Sequence, residues 1–527
     1  MMTSGRSAFA APGERIPRFS PIGVGRTFDV VIVGAGITGI TTAHQLAMSG
    51  LSIAVIDAGR VGGGATAFST GQLTAMVDAG YARIESDFGA DAAKLVATAT
   101  TRAMSTVEDL VGGEKLSCAM RRVPLVHYAE TDEQARELEE EIAAAARAGL
   151  GLVHVGEETV PFPVKRVYRL EHQLEIDPSA YVQELARALP ANVALFEDTR
   201  VVSIHEGSPF VLETERGEVR ADWVVEATHV PGGRNSFHAR TAPYRSYVIA
   251  AKSGAKKLSP GIYTDVVAPY HYWRAHKGLV LLGGADHKTG QREEGAAPFA
   301  ELESHLRERM DVGEIAARWT TELYTPVDGL PYIGPMANGS RHLVATGFDG
   351  DGLLFGSLAG EILAHRVLGI RSAIGELLDP SRTNLLASAS KFVKEQVNVA
   401  FHLVHDRISD VASSADGVAL GQGAIVDLDG TRCAVFRDED GKLHVRSATC
   451  PHAGCVVQWN SDAKTFDCPC HGGCFSPHGR VLGGPPATDL AVVEGYPPDD
   501  ERDTPLIEEP IGAPDSVIRP IPTISAQ

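Results

Sequence analysis

The chain has 527 residues, with 67 acidic against 48 basic side chains and a formal net charge of -19. That length exceeds one ordinary hydrophobic core, so two or three domains are expected. The acidic balance, with no basic tract to offset it, argues against nucleic-acid or anionic-membrane partners, which favour a basic face.

Residues 1–26 lack a long apolar run, and their Pro, Gly, Ser and Arg content reads as a flexible arm rather than a signal peptide. No stretch reaches the roughly 18 uninterrupted apolar residues that a spanning helix needs, so a cytoplasmic protein without a membrane span is expected. Of seven cysteines, five lie between positions 450 and 474, leaving Cys118 and Cys433 isolated. This is not the usage of a disulfide-stapled secreted protein.

Phe28 to Val33 is a short apolar run of the kind that forms a parallel strand covered on both faces. It runs into Gly34-Ala35-Gly36-Ile37-Thr38-Gly39, then a helical pattern to Met48, a Gly50 stop, and a second apolar strand, Ser52 to Ile56, ending on Asp57. Gly34, Gly36 and Gly39 permit a tight turn and close backbone approach, the helix N-terminus at Ile37 and Thr38 faces a pyrophosphate, and Asp57 suits a ribose diol. FAD and NAD remain alternatives on this unit alone. Further along, Glu130 to Ala148 reads as a solvated helix.

Residues 386–418 read as a helical connector, in which His402 and His405 share a helix face. Beyond it, Cys450-Pro451-His452 and Cys468-Pro469-Cys470-His471 supply two Cys–His pairs separated by fifteen residues. Such pairs suit a [2Fe–2S] centre with two thiolates on one iron and two imidazoles on the other; a Cys2His2 zinc site uses the same residue types and stays open on type alone. From Pro497 the chain is rich in Pro, Asp and Glu and reads as a tail, disordered or extended.

The flanks Val456 to Asn460, Lys464 to Asp467 and Gly479 to Pro486 resemble the Rieske family. The resemblance implies Cys450, His452, Cys468 and His471 as ligands of a [2Fe–2S] cluster and a disulfide between Cys455 and Cys470. It also implies a departure: high-potential Rieske proteins carry hydroxyls where this chain has Gly473 and Phe475.

Three segments resemble the D-amino-acid oxidase-like flavoenzymes, which include glycine oxidase and sarcosine oxidase, and select FAD. Gly64-Ala65-Thr66 with Thr70-Gly71 is similar to that family's second FAD loop. Val201, in Thr199 to Ile204, matches a valine that meets the adenine through its backbone, and Ala227-Thr228 matches a turn closing over the cofactor. Gly347 to Leu353, with Gly350 and Gly352, is similar to the turn and helix N-terminus that face the isoalloxazine. The resemblance implies Arg274 as a carboxylate anchor; His271, Tyr272 and His287 are the other candidate catalytic residues. A second strand–GxGxxG–helix unit for NAD(P)H does not occur, and no covalent flavin anchor stands out.

The expected architecture is an α/β FAD-binding Rossmann-type domain with an inserted α+β substrate domain, plus a C-terminal all-β Rieske domain. Boundaries are placed at about 27–85, 170–240 and 325–385 for the flavin domain, the remainder of 86–324 for the substrate domain, 386–418 for the connector, 419–496 for the Rieske domain and 497–527 for the tail. The expected function is oxidation of a small amine or amino-acid-like substrate, with electrons passed singly from flavin to the Rieske centre and an external acceptor of unknown identity. An oxygen-using oxidase with a structural or redox-sensing Rieske domain, and a non-catalytic electron-transfer protein, are the alternatives. A Rieske oxygenase is disfavoured, because its His-His-carboxylate iron site follows the Rieske domain and only about thirty residues follow here.

Overall fold

The computed structural model describes residues 7–9, 15–255, 257–291, 297–382, 395, 397–399, 401–402 and 412–496. Val30, Val31 and Ile32 are fully buried, because the strand Arg26–Val33 pairs in parallel with Gly217–Glu226 on one side and Ile53–Ile56 on the other. The sheet continues to Val193–Phe196 beyond Ile53–Ile56, and to His342–Thr346 and then the antiparallel Tyr332–Pro335 beyond Gly217–Glu226. Helices Ile37–Leu46 and Gly352–Val367 pack face to face on it. Gly356 and Gly360, one turn apart, make this approach possible: a Cβ there would lie 2.6 Å from Ile37 Cγ2 and 2.5 Å from Thr41 Cγ2.

A second sheet of nine strands takes Gln72–Leu73, Arg121–Ala129, Val153–His154 and Arg166–Glu175 together with the five strands between Thr241 and Pro326. Arg166–Glu175 therefore straddles the boundary expected at residue 170; it pairs antiparallel with Arg121–Ala129 and belongs to this second sheet. The Rieske domain is a three-stranded meander, Gln422–Leu428, Thr431–Arg437 and Leu443–Ser447, beside a four-stranded sheet running from Gln458 to Gly483.

The arm departs from expectation in its described part. Phe9, Ile16 and Ile22 are buried, the Arg15 backbone N–H donates to Gln183 Oε1 at 2.9 Å, and Arg18 pairs with Asp198 at 2.5 Å. Single apolar residues spaced among Pro and Arg leave no periodic signal, which is why the sequence reads as unstructured there. Within the connector, Glu395 pairs with Lys288 and Asn398 Nδ2 donates to Gln291 at 3.0 Å. His405 and the tail lie outside the described residues, and the proposed His402–His405 face with them. Among the described residues, no helix is long and apolar enough to cross a membrane.

Candidate functional site

The Gly-rich turn is built so that nothing larger than glycine fits. Gly34 has φ +102°, and a Cβ would stand 2.4 Å from the Ala227 carbonyl oxygen; at Gly39 it would stand 1.9 Å from the Gly34 oxygen. Ile37 N–H donates to Thr66 Oγ1 at 3.1 Å, which ties the second loop to the helix start. Asp57 accepts from Ala35 N–H and Gly59 N–H, both at 2.7 Å, and burial raises its carboxyl above the ordinary range. A continuous cavity of about 2560 Å³ runs from this turn past Val201, Ala227 and Thr228 to the start of the helix at Gly352. It exceeds the roughly 300–1,000 Å³ of a single small-molecule pocket, because it joins the dinucleotide cleft, the chamber beside Tyr272 and a crevice along the Rieske domain lined by residues such as His444, Ser476 and Pro486. Of the residues expected at the flavin, only Gly39, Gly71 and Gly347 do not line it. Gly39 and Gly71 instead shape the backbone around it, since a Cβ on Gly71 would meet the Ile176 oxygen at 2.1 Å. The turn and the bare cleft fit FAD.

The four expected catalytic residues do not converge on the cavity. Tyr272 and Arg274 share one face of the strand Tyr272–His276, but only Tyr272 lines the cavity, with its hydroxyl 2.9 Å from Ser246 Oγ. Arg274 lies farther along, buried beneath the Gly71 turn. Its Nη1 donates to the carbonyls of Thr70, Gly71 and Ile176 at 2.6, 2.8 and 3.1 Å, and Nη2 lies 3.5 Å from Glu175. Arg274 does not line the cavity and its Nη1 is held by three carbonyls, so the structure places the expected anchor under the turn and away from the chamber. His271 pairs with Asp265 at 2.8 Å and stacks on His305, with ring centroids 3.7 Å apart. His287 stacks on Tyr247 at 5.4 Å. Neither histidine lines the cavity.

What lines the cavity beside Tyr272 is acidic and aromatic: Tyr270, Asp78, Asp286, Asp349 and Asp351. Asp286 is aimed there by a bulge. The strand Leu279–Lys288 takes three steps from Gly284 to His287 while its partner takes two from Tyr247 to Arg245, and the intervening Ala285 has φ +54°. Bulges have no pattern in a single sequence, so parity could not assign Asp286 to this face. Asp78 accepts from Gly350 N–H at 2.8 Å, and Asp351 from Asp78 N–H at 2.8 Å. Asp349 accepts from Thr325 Oγ1 at 2.8 Å. Burial pushes Asp286 and Asp78 each up to about 7.

At the Rieske end, Cys450, His452, Cys468 and His471 converge, and Cys455 and Cys470 form the disulfide. The two histidine rings lie 5.0 Å apart at 86°. His471 Nδ1 is buried with no hydrogen-bond partner among the described residues, an orphan that a metal would satisfy. Burial first, then His452 and His238, pushes His471 down to about 3 and keeps it neutral, as a ligand requires; the hydrogen bond with Cys468 lowers the Cys450 thiol. These donors fit a [2Fe–2S] cluster.

The ligand histidines face the flavin domain. His452 Nε2 donates to the Gly233 carbonyl at 3.0 Å, leaving Nδ1 for the metal, and Arg234 Nε donates to the His452 carbonyl at 3.0 Å. His238 donates to the same Gly233 oxygen at 2.7 Å and packs its ring 4.6 Å from His452 and 5.6 Å from His471. None of Gly233, Arg234 and His238 carries a motif; their role appears only once the domains dock.

This fold and this pair of cofactor cradles define a flavin-dependent oxidoreductase carrying a Rieske iron–sulfur domain. The chain belongs to the DAO family of FAD-dependent oxidoreductases, whose model matches residues 29–366, and residues 410–497 match the Rieske [2Fe-2S] domain. The cofactors are therefore FAD and a [2Fe–2S] cluster rather than zinc. The chain is 29% identical over 489 residues to YhfW, a Rieske 2Fe-2S iron-sulfur protein of Bacillus subtilis, covering 91% of this chain and 96% of that one. It is 23% identical to the gamma-glutamylputrescine oxidoreductase of Escherichia coli over 69% of this chain and 89% of that enzyme. Among solved structures, the glycine oxidase of Geobacillus kaustophilus shares the fold of the flavoprotein part, with a TM-score of 0.58 at 20% identity over 68% of this chain and 99% of that one.

Proposed function

We propose that this protein oxidises a small amine and passes the electrons from flavin to the fused Rieske centre and on to an external acceptor. The observation that carries the reading is a single short segment. Thr228 lines the flavin cavity, and five residues later Gly233 accepts the hydrogen bond of the ligand His452. When bound, FAD would supply a hydride acceptor for the substrate C–H and the cluster a one-electron acceptor.

The chain's own part is positioning. Gly34 and Gly36 bring the backbone to the dinucleotide, Gly39 lets the helix close on that turn, Tyr270 and Tyr272 wall the chamber, and the 228–233 segment joins the two sites. The relative named for oxidation of a putrescine derivative supports an amine as substrate.

Anaerobic mixing with an amine tests the proposal: flavin bleaching should be followed by the electron paramagnetic resonance signal of the reduced Rieske centre. In air, His471→Ala should raise the peroxide yield per substrate oxidised. Equal peroxide from both proteins, with no reduced-cluster signal, would assign the protein as an oxygen-using oxidase.

A further inference from the structure

The substrate chamber carries a charge pattern that the amine reading alone does not require. Asp78, Asp286, Asp349 and Asp351 line it together with Tyr270 and Tyr272, whose ring centroids lie 5.9 Å apart. Three of these carboxylates have backbone or hydroxyl donors that anchor the turn before Gly352. Asp286 is different. It bonds Ser246 through one oxygen, while Oδ1 is closed off from solvent and has no hydrogen-bond partner among the described residues. A buried carboxylate oxygen without a donor is costly unless a ligand provides one.

The counter-charges are engaged elsewhere. Arg274 is held by three carbonyls under the Gly71 turn. Among the described residues, six arginines line the cavity: Arg60 pairs with Glu197, Arg18 with Asp198, Arg318 with Glu303 and Arg200 with Glu215, Arg234 donates to the His452 carbonyl, and Arg480 lies on the Rieske side, as do Lys442 and Lys464, the latter donating from Nζ to the Gly421 carbonyl. Aromatic faces beside carboxylates are the surroundings that recognise an ammonium group, whereas an anion there would meet like charge.

We infer that Asp286, backed by Asp349 and Asp78 and flanked by Tyr270 and Tyr272, selects a substrate amine that carries a second positive charge and no carboxylate. This rests on the amine-oxidising reading and names its substrate class. Asp286 acts as a specificity-determining residue: its free oxygen takes the distal cationic group and holds the reacting amine toward the flavin side of the chamber.

Three probes of equal chain length isolate the charge: 1,4-diaminobutane, n-butylamine and 4-aminobutanoate. With the full-length holoenzyme, each is assayed by anaerobic flavin bleaching, and separately by calorimetric binding to enzyme whose flavin has been reduced with dithionite. The diamine should bind and bleach at least tenfold better than butylamine, with the amino acid weakest. Asp286→Asn should erase at least tenfold of the diamine preference, and Asp286→Glu should recover part of it. If Asp286→Asn fails to retain flavin, Asp349→Asn is read in the same way.

Bleaching by 4-aminobutanoate equal to or better than by the diamine overturns the inference and leaves amine oxidation standing. An unchanged preference in a flavin-loaded Asp286→Asn variant overturns the assignment to Asp286. No bleaching by these three or by a wider set of amines overturns both.

Discussion

Arg245 Nη2 donates to Asp467 Oδ1 at 2.8 Å, and neither side chain reaches solvent. Arg245 belongs to the strand Thr241–Ser253 of the flavoprotein part, and Asp467 immediately precedes the ligand Cys468. Thr465 Oγ1 at 2.8 Å and Asn460 Nδ2 at 3.2 Å complete the Asp467 shell, and the same Asn460 nitrogen reaches Tyr247 Oη at 3.1 Å. The ion pair thus pins a cluster loop to the flavin half. Removing one partner strands the other, at a cost of about 3–5 kcal/mol, whereas replacing both is far milder. Arg245→Met is expected to loosen the docked Rieske domain, seen as faster hydrogen exchange over residues 458–475, and the Arg245→Met/Asp467→Leu double variant should restore much of the protection. Unchanged exchange in the single variant would show that the pair does not hold the interface.

Arg274 gives a second prediction, opposite to the one its register in the sequence suggests. Arg274→Ala leaves three buried carbonyls without their donor and takes the more distant of two arginines from Glu175, which keeps Arg121 at 2.6 Å, so a stability loss of about 3 kcal/mol is expected, most of it from the carbonyls. Kinetic losses should be equal for anionic and uncharged substrates, because the guanidinium faces neither. A selective rise in KM for a carboxylate-bearing substrate would return Arg274 to the active site.

Asp286 sets a pH dependence whose sign follows from burial. Desolvation leads the rise to about 7, opposed by Ser246 and reinforced by Asp349 and Asp78, so the carboxyl is neutral below that pH and anionic above it. Affinity for 1,4-diaminobutane should therefore climb as pH rises through about 7. Stability runs the other way. An unfolded Asp ionises near its ordinary value of about 3.9 while the folded one keeps its proton to about 7, so the stability this group contributes falls as pH rises through that window. Asp286→Asn should flatten both trends; a binding profile that keeps its midpoint in the variant would move the titration to Asp78, which rises to about 7 as well.

The parts legible in the sequence are those whose chemistry is local. Gly34, Gly36 and Gly39 stand between two apolar strands, and Cys450, His452, Cys468 and His471 stand on two short loops, so spacing brings each set together and the resemblance of the flanking segments selects FAD and the [2Fe–2S] cluster. Arg274 shows the limit. Its strand was readable, yet the side chain's target is a turn two hundred residues away, and only tertiary packing decides between turn and cavity. Asp286 needed a bulge to face the chamber, and Asp78 needed the contact with Gly350. Gly233 and His238 needed the docking of two domains.

The final prediction concerns the potential of the cluster, and two observations push it the same way. Hydroxyls that donate to the cluster and to a ligand sulfur stabilise the extra electron of the reduced state in high-potential Rieske proteins, and here Gly473 and Phe475 take those places. The loop is packed around the bare glycine: a Cβ at Gly473 would lie 2.8 Å from Pro486 Cγ and 3.3 Å from Cys450 Sγ, and Phe475 is fully buried in the domain core. The second push comes from the flavin half. His452 Nε2–H donates to the Gly233 carbonyl at 3.0 Å, which makes the imidazole a more electron-rich ligand and favours the oxidised centre. The midpoint should accordingly fall toward the lower end of the roughly -150 to +300 mV spanned by Rieske centres, a value suited to exchange with a flavin. Redox titration of the full-length protein followed by electron paramagnetic resonance measures it. Phe475→Tyr, which returns a hydroxyl to the core beside the cluster loops, should raise the value. A wild-type midpoint above roughly +200 mV would refute both the hydroxyl and the carbonyl arguments.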